Sequence, residues 1–191
     1  MSTDTPLNPP TDSSTAKERS PAHSKEGALV YRSILVPVDF SENSEKVVSY
    51  AAKLVSRDDA TLHLLHVFQA PFFGSTPYQG TRLKVDQIKS YESAAEQQAK
   101  ENLEGVLEKL QSKGVKVEAY LQTGYPFEQI IEVASRLEVD LIVIGSHSHP
   151  GLMRLLLGST AERVVQHAPC PVLVVKELHE QSTAGGAVKA Q

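Results

Sequence analysis

The sequence predicts a doubly wound α/β domain, an open five-stranded parallel sheet with helices on both faces. Three observations predict it. Short, nearly continuous aliphatic runs recur of the kind shown by strands buried on both faces. Stretches with apolar residues at helical spacing separate them. The two alternate along the chain, as parallel neighbours require, because each right-handed crossover brings its own helix.

The first strand is Ser33–Val38, where Ile34, Leu35, Val36 and Val38 are aliphatic, and it ends at Asp39. A helix follows: Ser41 and Asn43 are candidate caps, Glu42 and Glu45 suit its positive end, and Val47, Ala51, Leu54 and Val55 share one face. Ala60–Phe68 is the second strand, and residues 69–81, broken by Pro71, Gly74, Pro77 and Gly80, are expected to form a surface loop. From Leu83 to Ser112, Val85, Ile88, Ala95, Ala99, Leu103, Val106 and Leu110 keep helical spacing, and Gly114 supplies the stop. Val115–Leu121 alternates as a third strand, after which Gly124 and Pro126 open a helix carrying Ile130, Ile131, Ala134 and Leu137. Val139–Ile144 is a fourth strand stopped by Gly145. A loop then runs to Gly158, a helix spans Ser159–His167, and Pro171–Lys176 is the last strand.

The 191 residues are 40% hydrophobic and 22% charged, with 19 Lys+Arg against 23 Asp+Glu and a formal net charge of −4. This composition suits one globular domain with tails and excludes wholesale disorder, a collagen-like repeat and a disulfide scaffold, since Cys170 is the single cysteine. The apolar runs fall far short of the roughly 20 residues of a membrane helix, and residues 1–15 hold no apolar signal core. A soluble, cytoplasmic protein without membrane association is expected. An acidic chain with a pI near 6.0 is repelled by a phosphate backbone, which argues against nucleic acid as a partner. Thirteen of the 25 residues from Ser2 to Glu26 are Ser, Thr or Pro, so residues 1–30 read as a disordered tail. Residues 178–191 lack periodicity and read as a second, leaving a domain over 31–177.

In open α/β sheets ligands bind beyond the carboxyl ends of the strands, where strand order reverses, often with phosphate at a helix amino terminus. Asp39 follows the first strand, and the fourth is followed by Gly145-Ser146-His147-Ser148-His149-Pro150-Gly151, with Gly158-Ser159-Thr160 at the next helix start. Small residues there let backbone N–H groups approach an anion, Ser159 and Thr160 add hydroxyl donors, and Asp39 suits a ribose hydroxyl or adenine amine. Each piece also has a plainer reading, as turn glycines, a helix cap and the start of a loop. The lysine-bearing phosphate loop and the Gly-x-Gly-x-x-Gly fingerprint are both absent from the sequence.

The residues Ile34-Leu35-Val36-Pro37-Val38-Asp39-Phe40-Ser41, Leu64-Leu65-His66-Val67 and Asp140-Leu141-Ile142-Val143-Ile144-Gly145-Ser146-His147 resemble the universal stress protein family. So does the closing run from Gly151 through Gly158-Ser159-Thr160-Ala161-Glu162-Arg163-Val164 to Val175, and the likeness spans Tyr31–Glu177. The resemblance implies a Rossmann-like sheet of strand order 3-2-1-4-5, homodimers formed through the last strand (Val172–Val175), and a role in stress tolerance. It also implies ATP binding in those members that carry Gly-x-x-Gly, nine residues, then Gly-Ser/Thr. Here Gly145, Gly158 and Ser159 match, and Ser148 replaces the second glycine. Asp39 and Val67 correspond to the family's adenosine-pocket aspartate and valine. The expected nucleotide site is therefore Pro37, Val38, Asp39, Val67, Ile144, Gly145, Ser148, Gly151, Gly158, Ser159 and Thr160, taking ATP or a related adenine nucleotide, with Mg²⁺.

His147 and His149, with His63 and His66 near the end of the second strand, lack the converging ligands of a zinc site, so no metal centre is expected. Arg154 is read as solvated, with reach to a phosphate as the alternative, Arg163 as paired with a neighbouring acid, and Phe72, Phe73 and Tyr78 as loop packing, a lid over adenine or a partner contact. No fixed nucleophile and base can be assigned, so a catalytic role is not expected. A nucleotide sensor is the leading reading. The alternatives are a nucleotide-independent interaction protein whose pocket Ser148 closes, and a slow ATPase.

Overall fold

The computed structural model describes residues 22–23, 29–55, 60–69, 85–146 and 157–176. Two short strands, β1 (Ala22–His23) and β2 (Leu29–Val30), pair antiparallel at its start. They lie within the stretch expected to be a tail. Two-residue strands show no alternation, so this pairing left no pattern in the sequence; residues 1–21 lie outside the described residues.

The domain then alternates: β3 (Ser33–Pro37), α1 (Glu42–Leu54), β4 (Thr61–Phe68), α2 (Val85–Gln111), β5 (Val117–Thr123), α3 (Pro126–Arg136), β6 (Leu141–Gly145), α4 (Ser159–His167) and β7 (Val172–Val175). The five longer strands are all parallel and lie in the order β5-β4-β3-β6-β7. Counted within that sheet this is 3-2-1-4-5, with the order reversing between β3 and β6. Ile34, Leu35, Leu62, Leu64 and Ile142 are fully buried, because helices cover both faces of the central strands.

Alternate residues of each strand feed two cores. Ile34, Val36, Leu62, Leu64 and Val143 pack with Val47 and Ala51 of α1 and Leu103 and Leu110 of α2. Leu35, Leu65, Tyr120 and Ile142 pack with Ile130 and Val133 of α3 and Ala161 and Val164 of α4. Helix α1 starts as its sequence dictates: Ser41 is the cap, its hydroxyl oxygen accepting from the Ser44 N–H at 3.2 Å, whereas Asn43 is a buried residue of the first turn.

The expected third strand is displaced by two residues. The Val115 N–H donates to the Leu110 carbonyl at 3.2 Å, so Val115 completes the end of α2 and pairing begins at Val117. Gly114 makes that exit with φ +77°, a left-handed conformation that a Cβ would strain. The sequence loop of residues 69–81 is described only at Gln69, and the segment 177–191 lies outside the described residues.

Candidate functional site

Beyond the carboxyl ends of β3 and β6, at the reversal of strand order, lies a cavity of ≈ 590 Å³. Its volume falls within the roughly 300–1,000 Å³ of small-ligand sites. Pro37, Val38 and Asp39 form one wall and Val67 another. Ile144 and Gly145 lie on the β6 side, and Gly158, Ser159 and Thr160 bring in the start of α4. Ser148 and Gly151, the other expected site residues, lie outside the described residues, as do His147, His149, Arg154, Phe72, Phe73 and Tyr78.

Each wall has a local cause. The Val38 N–H still donates to the Leu65 carbonyl at 2.8 Å, carrying the sheet one residue past β3. The chain then turns at Phe40, which holds φ +61°. Asp39 Oδ1 accepts from both the N–H (3.0 Å) and the hydroxyl (2.6 Å) of Ser41, and the Ser44 hydroxyl oxygen accepts from the Asp39 N–H at 3.3 Å. The carboxylate is thereby held at the cavity rim by the same Ser41 that caps α1. The loop-start reading and the ligand reading of Asp39 therefore describe one arrangement, in which the turn orients the carboxylate.

On the opposite wall the Ser146 N–H donates to the Val175 carbonyl (3.0 Å) and the Gly158 N–H to the Ser146 carbonyl (2.8 Å). The second bond joins the two stems of the intervening loop and sets α4 facing the cavity. Gly158 is the α4 cap, with φ −61° and ψ 149°, and no side chain caps the helix. Any residue adopts that backbone, so the glycine serves by leaving the helix start without a side chain of its own. The N–H groups of the first turn have no partner within the helix and carry its positive dipole end.

The universal stress protein family profile matches residues 30–176. This chain belongs to the universal stress protein family. It is 32% identical over 153 residues to universal stress protein MJ0531 of Methanocaldococcus jannaschii, covering 80% of this chain and 86% of that protein. Universal stress protein G of Shigella flexneri is also 32% identical, over 77% of this chain and all of its own length (100%). Among solved members, UspA from Lactobacillus plantarum superposes with a TM-score of 0.65 at 27% identity, over 78% of this chain and 99% of its own. Two more distant folds, each 20% identical, are a universal stress protein in complex with cAMP (TM-score 0.53, 77% and 98% coverage) and an Arabidopsis thaliana member with AMP bound (0.56, 81% and 97%).

In this family member the sequence reading missed His66 as a cavity residue, having weighed it only as a metal ligand. Its Nδ1–H donates to the Val38 carbonyl at 2.8 Å, and its ring lies 4.4 Å from that of Phe40. His63, three residues earlier, leaves the strand by the opposite face and sits at its third residue rather than near its end. Among the described residues no group of three or more His, Cys, Asp or Glu side chains gathers for a metal. Among the described residues Arg163 pairs with no acid, contrary to expectation; its guanidinium lies 3.2 Å over the Phe127 ring, because α3 and α4 pack together there. Burial pushes the Cys170 thiol up to about 11, reinforced by Asp140 and partly offset by a backbone hydrogen bond at Ile142, which makes it a poor nucleophile.

Burial lowers the titration of both histidines, against the raising effect of Glu118 on His63 and of the Val38 carbonyl on His66. Each ring is neutral in the folded chain and takes up a proton more readily once unfolded. Their contribution to stability is therefore fully present above the ordinary value of 6.5 and is lost as pH falls from there through the lowered folded values. Urea midpoints measured at about pH 7.5 and about pH 5 are expected to show this loss, with a smaller difference in His66→Gln. A midpoint as high at the lower pH would contradict it.

Proposed function

We propose that this universal stress protein is a cytoplasmic sensor that binds ATP or a related adenine nucleotide in the crevice between β3, β4 and α4. The observation that carries the reading is the meeting, across one cavity, of an oriented carboxylate at Asp39 and an uncapped helix start at Ser159. The carboxylate is an acceptor for the donors of a nucleoside, its ribose hydroxyls and adenine amine. The helix start, with its backbone N–H groups and the Ser159 and Thr160 hydroxyls, offers donors to phosphate. Val67 and Ile144 give apolar contact for the base. Mg²⁺ would enter on the phosphates, since this ion keeps most of its water and needs few protein ligands. The cAMP- and AMP-bound folds agree with this class of ligand, and at their distance they share the fold alone with this chain.

The edge strand β7 extends the reading to a homodimer. Its residues Val172, Leu173, Val174 and Val175 are all half-buried, an apolar edge of the kind native sheets cover, and a second copy is the partner proposed. Calorimetric titration of the protein with ATP and Mg²⁺, beside its Ser148→Gly variant, tests the nucleotide site. Binding by the native chain at micromolar nucleotide is the expected result. Heat from the glycine variant alone would show a crevice closed by Ser148, and silence from both would overturn the proposal.

A further inference from the structure

At the other end of the sheet, four polar side chains from three adjacent strands form a chain of hydrogen bonds that nucleotide binding does not use. The Ser33 hydroxyl lies 3.1 Å from His63 Nε2, the Tyr120 hydroxyl 3.3 Å from His63 Nδ1, and Tyr120 donates to Glu118 Oε2 at 2.5 Å. All four lie on the α3 side of the sheet, since Ser33 alternates with Leu35 of that core as His63 does with Leu65.

The proton positions follow from these distances. Tyr120 is buried and its phenol is pushed up by burial and by Glu118, so it stays protonated and its hydrogen belongs to the carboxylate bond. Its oxygen is left to accept from His63 Nδ1–H. Nε2 is then the unprotonated nitrogen, and the Ser33 O–H donates to it. This is the order of proton ownership that activates a serine: hydroxyl to imidazole, imidazole to an orienting group backed by a carboxylate. Burial keeps His63 neutral at pH 7, ready to take a proton. Ser33 itself is half-buried and the Glu118 side chain is 46% exposed, so the cluster opens to solvent. Arg136 at the end of α3 acts on Tyr120 electrostatically, and its Nη1 lies 3.8 Å from Glu132 Oε1.

We propose that Ser33 is an activated nucleophile that accepts an acyl group from small activated esters. In the step, the Ser33 Oγ–acyl carbon bond forms and the bond from that carbon to the leaving alkoxide or phenolate breaks. The Ser33 proton passes to His63 Nε2 and leaves to solvent or the departing oxygen. The site is separate from the crevice and does not depend on nucleotide.

The probe is p-nitrophenyl acetate on the full chain, with peptide mapping by mass spectrometry to separate Ser33 acylation from that of surface lysines. Acetyl on Ser33 is expected in the unaltered protein, forming about 100-fold more slowly in His63→Gln, the scale of general-base catalysis. The rate should rise with pH as His63 loses its proton and level off below the ordinary imidazole value of 6.5, because burial favours that loss and Lys116 adds to it, with Glu118 and Asp140 opposing. Circular dichroism confirms that the variant is folded. An unmodified Ser33 in the unaltered chain would overturn the proposal, and so would acylation at the same rate in folded His63→Gln. The readout in unaltered protein stands even if the variant fails to fold.

Discussion

Truncating Leu35 to alanine should cost about 3–5 kcal/mol of folding stability, the range for a leucine side chain removed from a close-packed core. Leu35 is fully buried at the middle of β3, paired to His63 on β4 and to Ile142 on β6, and it packs in the α3–α4 core. Backbone on both sides is held by the parallel ladder, so the strand cannot settle into the space left behind, and the cavity cost adds to the lost transfer free energy. In urea the midpoint should fall by about 1–5 M for a slope of about 1–3 kcal/mol per molar. Tyr91→Ala, at a position 65% exposed on α2, is the control and should stay within about 0.5 kcal/mol. Equal midpoints for the two variants would refute the central role assigned to β3.

The second large effect concerns the crevice. Asp39→Ala is expected to weaken ATP by about 10–100-fold in calorimetry, as a hydrogen bond to a charged group contributes about 1.5–3 kcal/mol. The carboxylate also accepts two bonds from Ser41, so the substitution loosens the start of α1. Asp39→Asn separates these roles, because an amide oxygen can still accept from Ser41 while the charge is gone. If binding survives Asp39→Ala unchanged in a protein of normal melting temperature, Asp39 is a turn residue only.

Legibility differs between these two regions for physical reasons. The helices α1, α3 and α4 were readable because a helix start and a buried stripe are local: Ser41, Pro126 and Ser159 each stand within a few residues of the apolar positions they precede. Strand edges were less so. Val115 looks like the first residue of an alternating strand, and only its bond to the Leu110 carbonyl assigns it to the helix end. Arg163 carries no local sign that it will lie over Phe127, 36 residues earlier, since that contact exists only once α3 and α4 pack.

The aliphatic runs and their alternation with helical stripes determined, without the structure, that this chain builds a doubly wound sheet, and Asp39, Gly145 and Gly158-Ser159-Thr160, expected from the sequence, line part of the crevice. Hydrophobic periodicity is a property of neighbours along the chain, and it survives in a string of letters. Tertiary structure alone decided how His66 props the Val38 carbonyl, how Asp39 is oriented, and that Ser33, His63, Tyr120 and Glu118 meet across three strands. Those bonds join residues up to 57 positions apart. Their formation depends on which strands become neighbours and in what register, and that is set by the packing of the whole sheet rather than by any one segment.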